Sequence, residues 1–82
     1  MVHNHDEVKR AVADKDPEYR KLMEQHAGFD SRLEVLQGKA VLDEAERIET
    51  VNLKKQKLQV KDRMEQLLQD YIERTAAAGA RH

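Results

Sequence analysis

The stretch "DPEYRKLMEQHAGFDSRLEVLQG", residues 16–38, decides the fold of this chain. Asp16 followed by Pro17 is a typical helix opening, because the carboxylate accepts orphan amides and proline suits the first helical position. From there, apolar or semi-apolar side chains recur in alternating steps of three and four: Tyr19, Leu22, His26, Phe29, Leu33, Leu36 and Ala40. This spacing predicts the heptad seam of a helix packed lengthwise against another helix.

A second, longer helix is predicted after a turn. Gly38 is a typical helix stop, and Asp43 with Glu46 matches the capping box that starts a helix. We therefore predict an all-α fold, an antiparallel, coiled-coil-like helical hairpin over residues 16–75. Its parts are a helix at 17–37, a turn at 37–42, a helix at 43–75 and a frayed tail at 76–82.

The N-terminal segment, residues 1–15, carries the pattern of a short helix. Asn4 and Glu7 have the spacing of a helix cap, and Val8 and Val12 continue the apolar seam toward the hairpin. Because the second hairpin helix is the longer one, it overhangs the first. The short helix is expected to lie beside that overhang.

Composition narrows the class of protein. The chain has 82 residues, of which 38% are charged and 4% aromatic, and its net charge is −1. The absence of cysteine excludes disulfides, thiolate catalysis and cysteine-based zinc sites. No apolar run approaches the roughly 20 residues of a membrane span, and the polar N-terminus does not resemble a signal peptide. We expect a cytoplasmic protein of one small domain with no membrane segment.

The second helix carries two apolar faces. The inward stripe consists of Leu53, Val60, Met64, Leu67 and Tyr71, with Leu68 at its edge. On the opposite side of the helical wheel, Ile48, Val51 and Leu58 form a second, shorter seam together with Lys55 and Asp62. We predict that these five outward residues are a contact face for a second copy or for a protein partner. The alternative is that the outward aliphatic side chains belong to a wide helix face that wraps the loop end of the hairpin.

The same helix is rich in basic side chains. The candidate basic patch consists of Arg47, Lys54, Lys57, Lys61 and Arg63. A nucleic-acid role is the alternative that this patch leaves open. No aromatic residue lies among these cations to stack on bases, and acidic residues flank the cluster on both sides. The pattern therefore favours the solvated flank of a packed helix over a nucleic-acid surface.

Self-association is expected on energetic grounds. The seam side chains of a lone two-helix hairpin bury too little apolar surface to offset the conformational entropy of ordering the chain. A homo-oligomer would bury both seams in a four-helix arrangement, and a dimer is the favoured form. An unidentified protein partner could cover the same surface.

The sequence offers no chemistry that is typical of an enzyme. The single serine, Ser31, has no glycine-rich elbow around it, and neither a phosphate-binding loop nor a metal-ligand motif occurs. We predict no catalytic residue, no cofactor and no metal site. His26 lies on the seam, where we expect it to pack or hydrogen-bond within an interface. A pH-sensitive contact remains the alternative, because imidazoles titrate near neutrality.

Three segments resemble the YdcH-like family of short bacterial proteins: "DPEYRKLMEQH" at 16–26, "FD" at 29–30 and "LKKQKLQVKDRMEQLL" at 53–68. The matching positions are Asp16, Pro17, Tyr19, His26, Lys54, Lys55, Lys57, Leu58, Val60, Lys61 and Asp62. Val60 stands where the family usually has leucine, and the turn "QGKAVLDEAER" is longer than usual. The resemblance covers about residues 16–70. It implies a helical hairpin, brings no known activity, and favours a contact through Lys55, Leu58 and Asp62.

These observations together predict a small cytoplasmic helical protein that serves as an interaction or adaptor module. It would self-associate through its heptad seams. A nucleic-acid-associated protein is the alternative.

Overall fold

The computed structural model of the protein describes residues 5–79, and they form three helices. Helix α1 spans His5–Lys15, α2 spans Pro17–Gln37 and α3 spans Glu44–Gly79. Helices α2 and α3 pack as an antiparallel hairpin, and α1 packs against both. The whole is a slender rod of 59 × 20 × 17 Å. The predicted all-α hairpin with a short N-terminal helix is therefore confirmed.

A single extended residue separates α1 from α2. Asp16 has φ −118° and ψ 106°, and its carboxylate accepts the backbone N–H of Glu18 at 2.9 Å. Pro17 then starts α2, where its missing N–H costs no hydrogen bond. Arg20 reaches back and donates from Nη1 to the carbonyl of Ala13 at 2.7 Å and to that of Asp14 at 3.2 Å. One arginine thus satisfies carbonyls at the end of α1 that the helix itself leaves unpaired.

The turn between α2 and α3 is closed by side chains of its own sequence. Gly38 ends α2 in the right-handed region, with φ −76°, and donates its N–H to the carbonyl of Glu34. Both hydrogen bonds of the capping box are present: Glu46 N–H to Asp43 Oδ1 at 2.8 Å and Asp43 N–H to Glu46 Oε1 at 3.2 Å. Lys39 also pairs with the Glu46 carboxylate. Glu46 therefore fastens the loop to the first turn of α3.

The main core lies at the end of the hairpin that is remote from the turn, where all three helices meet. Its buried side chains are Val8 and Val12 of α1, Tyr19 of α2 and Leu68 of α3. Tyr19 is only 1% exposed. Leu68, predicted at the edge of the α3 stripe, is 3% exposed because α1 covers this flank of α3.

A second buried pair closes the hairpin near the turn. Leu33 and Leu36 are 5% and 1% exposed, and they face α3 as the heptad spacing predicts. Ala40, the last position of the predicted seam, lies exposed in the turn instead, because α2 has already ended at Gln37. Between the two cores, seam residues such as His26 are half-buried.

Two terminal predictions fall at the limits of the described residues. Asn4, half of the expected cap of α1, lies outside them, as do residues 80–82 of the expected frayed tail. Helix α3 continues to Gly79, past the predicted end at Thr75, and its last residues include alanines, which are the strongest helix formers. Within the described residues, no helix is both long and apolar enough to cross a lipid bilayer.

Two leucines of α3 provide a matched test of this packing. Leu68 is buried beneath α1, whereas Leu58 is 58% exposed on the same helix. We expect Leu68→Ala to lower the free energy of unfolding by about 2–4 kcal/mol, because it leaves a cavity between three helices. Leu58→Ala should change the unfolding free energy of the monomer by about 0.5 kcal/mol or less. Urea titration followed by circular dichroism, at a concentration where the chain is monomeric, measures both. Equal losses would contradict the described core.

Candidate functional site

The outward face of α3 presents the contact residues predicted from the sequence. We call Ile48, Val51, Lys55, Leu58 and Asp62 the outer row. Ile48, Val51 and Leu58 are 56%, 51% and 58% exposed, and the two charged members are exposed as well. At about 100° per residue, the row lies on the opposite side of α3 from the half-buried Leu53 and Val60. The hairpin therefore makes no use of these aliphatic side chains for its own core.

One edge of the hairpin is closed by two arginine–glutamate forks. Arg63 donates to both carboxylate oxygens of Glu18, at 2.8 and 3.0 Å. Arg32 donates likewise to Glu49, at 2.7 and 2.8 Å. Each fork joins α2 to α3, and paired N–H groups match a carboxylate in both distance and direction. We call this side of the hairpin, with its four paired residues, the fork edge.

The opposite edge carries lysines. Lys54, Lys57 and Lys61 lie along it, and we call it the lysine edge. Lys57 pairs with Asp30 of α2. Lys54 and Lys61 are exposed and form no ion pair with any residue in the range 5–79. The lysine edge therefore carries two positive charges without an ion pair to the described residues, whereas the charges of the fork edge neutralise each other.

The structure accordingly divides the basic patch predicted from the sequence. Arg63 follows Lys54 by nine residues, which at about 100° per residue puts it half a turn away, on the fork edge. Arg47 donates from Nε to the backbone carbonyl of Leu42 at 3.3 Å, which ties it to the turn. Only Lys54, Lys57 and Lys61 of the five are brought together along one cavity.

Two shallow cavities follow the lysine edge between α2 and α3. One, of about 220 Å³, has walls formed by Leu33 and Gln37 of α2 and by Lys54, Lys57, Leu58 and Lys61 of α3. The other, of about 270 Å³, lies toward α1, and its walls are formed by Lys9, Tyr19, Met23, His26, Lys61, Met64, Glu65 and Leu68. Lys61 borders both cavities, and we call the two together the lysine groove.

His26 lies in this groove. Its imidazole is half-buried, and Nδ1 is 3.8 Å from Oδ2 of Asp30 one helical turn away. The same Asp30 carboxylate pairs with Lys57 across the hairpin. At its seam position His26 therefore lies beside both charged and apolar side chains of the groove.

Burial and pairing shift the pKa of several groups. Arg63 and Arg32 hold the pKa of Glu18 and of Glu49 below the ordinary value, because each donates hydrogen bonds to the carboxylate. Lys57 lowers the pKa of Asp30 in the same way. Burial, with a smaller contribution from Glu65, raises the pKa of the Tyr19 phenol. The carboxylates that join α2 to α3 are therefore ionised at neutral pH.

Local sequence reasoning missed these pairs between helices. Helical spacing by itself assigns only pairs that lie three or four residues apart on one helix. The structure instead joins residues 45 and 17 positions apart in the two forks. In each fork the two partners lie equally far along the sequence from the point between Ala40 and Val41. That common centre is a signal that could have identified them once the hairpin register was assumed.

Another feature outside the sequence prediction lies where α1 meets α3. Lys15 places Nζ 5.7 Å from the centre of the Tyr71 ring, beside a depression of about 500 Å³ that includes Arg74. A cation over an aromatic face is attracted by the ring quadrupole. Within the described residues, no three histidine, aspartate or glutamate side chains cluster in a way that could hold a metal ion.

Fold and surface define a class: a small antiparallel helical hairpin with a row of exposed aliphatic residues along its longer helix. The sequence pattern of the DUF465 family, described as proteins of unknown function, matches residues 20–68. The chain therefore belongs to the DUF465 family, which are the YdcH-like small proteins that its motifs resemble, and the predicted resemblance is confirmed. Comparison with curated proteins and with solved structures gave no significant match.

The lowered carboxylate pKa values predict acid sensitivity. A folded-state pKa below the unfolded value means that ionisation stabilises the fold. This contribution is fully present above the ordinary glutamate value of 4.5 and is lost as the pH falls through the lowered values. We expect the melting temperature, followed by circular dichroism, to drop between pH 6 and pH 3.

The two forks can be tested against a matched pair of glutamates. Glu18→Gln with Glu49→Gln should reduce the drop in melting temperature on acidification. Glu24→Gln with Glu34→Gln, at exposed positions of α2 that form no ion pair with residues 5–79, should leave it as in the parent chain. If both double variants kept the parental pH dependence, the forks would not contribute to stability.

Proposed function

We propose that this chain is a small non-catalytic interaction module that binds through the outer row of α3. The observation that carries the proposal is the exposure of Ile48, Val51 and Leu58, each more than half exposed on one face of one helix. Single exposed aliphatics are ordinary, but a periodic row of them opposite the core is typical of a helix that packs on two sides.

The occupant that we propose first is a second copy of the chain. The rod is only 20 × 17 Å across, and six hydrophobic side chains are buried in the described residues. A domain with so small a core gains much from association, because burying an apolar side chain contributes about 1.5–3 kcal/mol. Antiparallel packing of two rows would set Ile48 of each copy against the other copy's Leu58. Two hairpins would then form a four-helix arrangement.

The nucleic-acid alternative has weaker support. Arg63 is engaged by Glu18 and Lys57 by Asp30, so the linear patch loses two of its five cations to ion pairs. Phosphate binding needs several free cations along one surface. An interaction module in a bacterial cytoplasm, acting on proteins, accounts better for an exposed row that is mainly aliphatic.

The proposal predicts that the outer row controls the solution mass. We expect Ile48→Asp and Leu58→Asp to leave helicity unchanged and to weaken association by at least about tenfold, because each would bury an unpaired carboxylate. Val35→Asp is the matched control, since Val35 is 54% exposed but lies on α2. Light scattering over a hundredfold range of concentration measures all four chains.

Each outcome of that measurement has a consequence. A parent chain that stays monomeric throughout would rule out the second copy as occupant. A parent dimer that persists in both row variants but dissociates in Val35→Asp would move the interface to α2. In either case the outer row would lose its proposed role in self-association.

A further inference from the structure

The two edges of the hairpin differ in a way that folding alone does not require. On the fork edge, both arginines are held by glutamates of the facing helix. On the lysine edge, Lys54 and Lys61 are exposed beside an open groove, without an ion pair to any described residue. Because the chain as a whole is nearly neutral, this excess of positive charge is local.

The floor of the lysine groove is apolar. Leu33 and Leu58 line it at the turn end, and Met23 and Met64 line it toward α1. Met23 is 43% exposed, although it lies next to buried Tyr19 in the same cavity. An apolar floor with a cationic rim is complementary to an apolar stripe flanked by carboxylates.

From this arrangement we infer that the lysine groove binds an acidic amphipathic helix of another protein. The site goes beyond the self-association proposed above, because it lies between α2 and α3 and shares only Leu58 with the outer row. The occupant would complete a three-helix bundle, with its apolar stripe on the groove floor and its carboxylates beside the lysines.

The spacing of the cations suits a helical occupant. Lys54 and Lys61 are seven residues apart on α3, or about 10.5 Å at 1.5 Å per residue. A helix lying alongside α3 presents its own side chains at that interval, so acidic residues seven apart would meet both amines. From Lys54 to Leu68 the groove follows α3 for about 21 Å, which is the length of a helix of four turns.

Groove chemistry also disfavours a second copy as the occupant. Each copy brings its own lysine edge, so two grooves packed together would place like charges opposite each other. The negative groups in the groove are few: Asp30 is already paired with Lys57, and Glu65 lies near Tyr19. The groove therefore selects a partner of opposite charge.

The test uses the full chain and a synthetic 18-residue helical peptide as probe. The probe has leucines along one stripe and glutamates on both flanks, and its twin carries lysines in place of the glutamates. Fluorescence anisotropy of the labelled peptides gives the affinity at low and at high salt. We expect the acidic peptide to bind, its affinity to fall at least about tenfold at high salt, and the basic twin not to bind.

Variants place the binding on the groove. Lys54→Glu with Lys61→Glu should weaken binding of the acidic peptide at least about tenfold, with helicity unchanged by circular dichroism. Lys21→Glu with Arg10→Glu reverses the same number of charges at exposed positions that border neither the groove nor the outer row, and should change the affinity less than about threefold. Ile48→Asp disrupts the outer row without changing a residue of the groove, so it should leave peptide binding intact. Its effect separates this inference from the proposed self-association.

Several results would overturn the inference. They are no binding of the acidic peptide, equal binding of its basic twin, and loss of binding with Ile48→Asp but not with the groove variant. A single-stranded oligonucleotide that binds more tightly than the acidic peptide and depends on Lys54 and Lys61 would assign the groove to nucleic acid instead. If variants of the outer row did not change the solution mass, the proposed self-association would be wrong. Binding of the acidic peptide by the groove would not be affected by that result.

Discussion

The antiparallel packing of α2 on α3 is the constraint on which the rest of the structure depends. Leu33 and Leu36 fix it near the turn, and Tyr19 fixes it where α1 joins. Once this register is set, the helical period dictates which α3 side chains face inward, which point straight out and which lie at each edge. The outer row, the forks and the lysine groove are all consequences of that single alignment.

The same alignment divides the charges unequally between the two edges. Carboxylates of α2 and α3 meet arginines on one side, where bidentate geometry holds them. On the other side, among residues 5–79, only Lys57 pairs with a carboxylate across the hairpin. A chain that is nearly neutral in sum therefore has a neutralised edge and a cationic one, and the difference is invisible in its composition.

The slender shape of this protein gives it a small core and leaves most side chains available for contacts. With six buried hydrophobic side chains, the described rod has little interior, so nearly every residue lies at or near a surface. Aliphatic side chains on the outer face of α3 consequently add nothing to the core and are available for contacts. The buried cluster of Val8, Val12, Tyr19 and Leu68 shows how α1 strengthens the one end where the hairpin alone would leave α3 uncovered.

The sequence by itself determined the helices, because their signals are local. Caps at Asp16 and Asp43 and the period of the seam act within a few residues, and the same period predicted the exposed outer row. Only the tertiary structure decided which charges pair and that Leu68 is buried. Fork partners lie 45 and 17 residues apart, and α1 covers Leu68 from another part of the chain. Such contacts depend on the relative placement of whole helices, which local spacing does not encode.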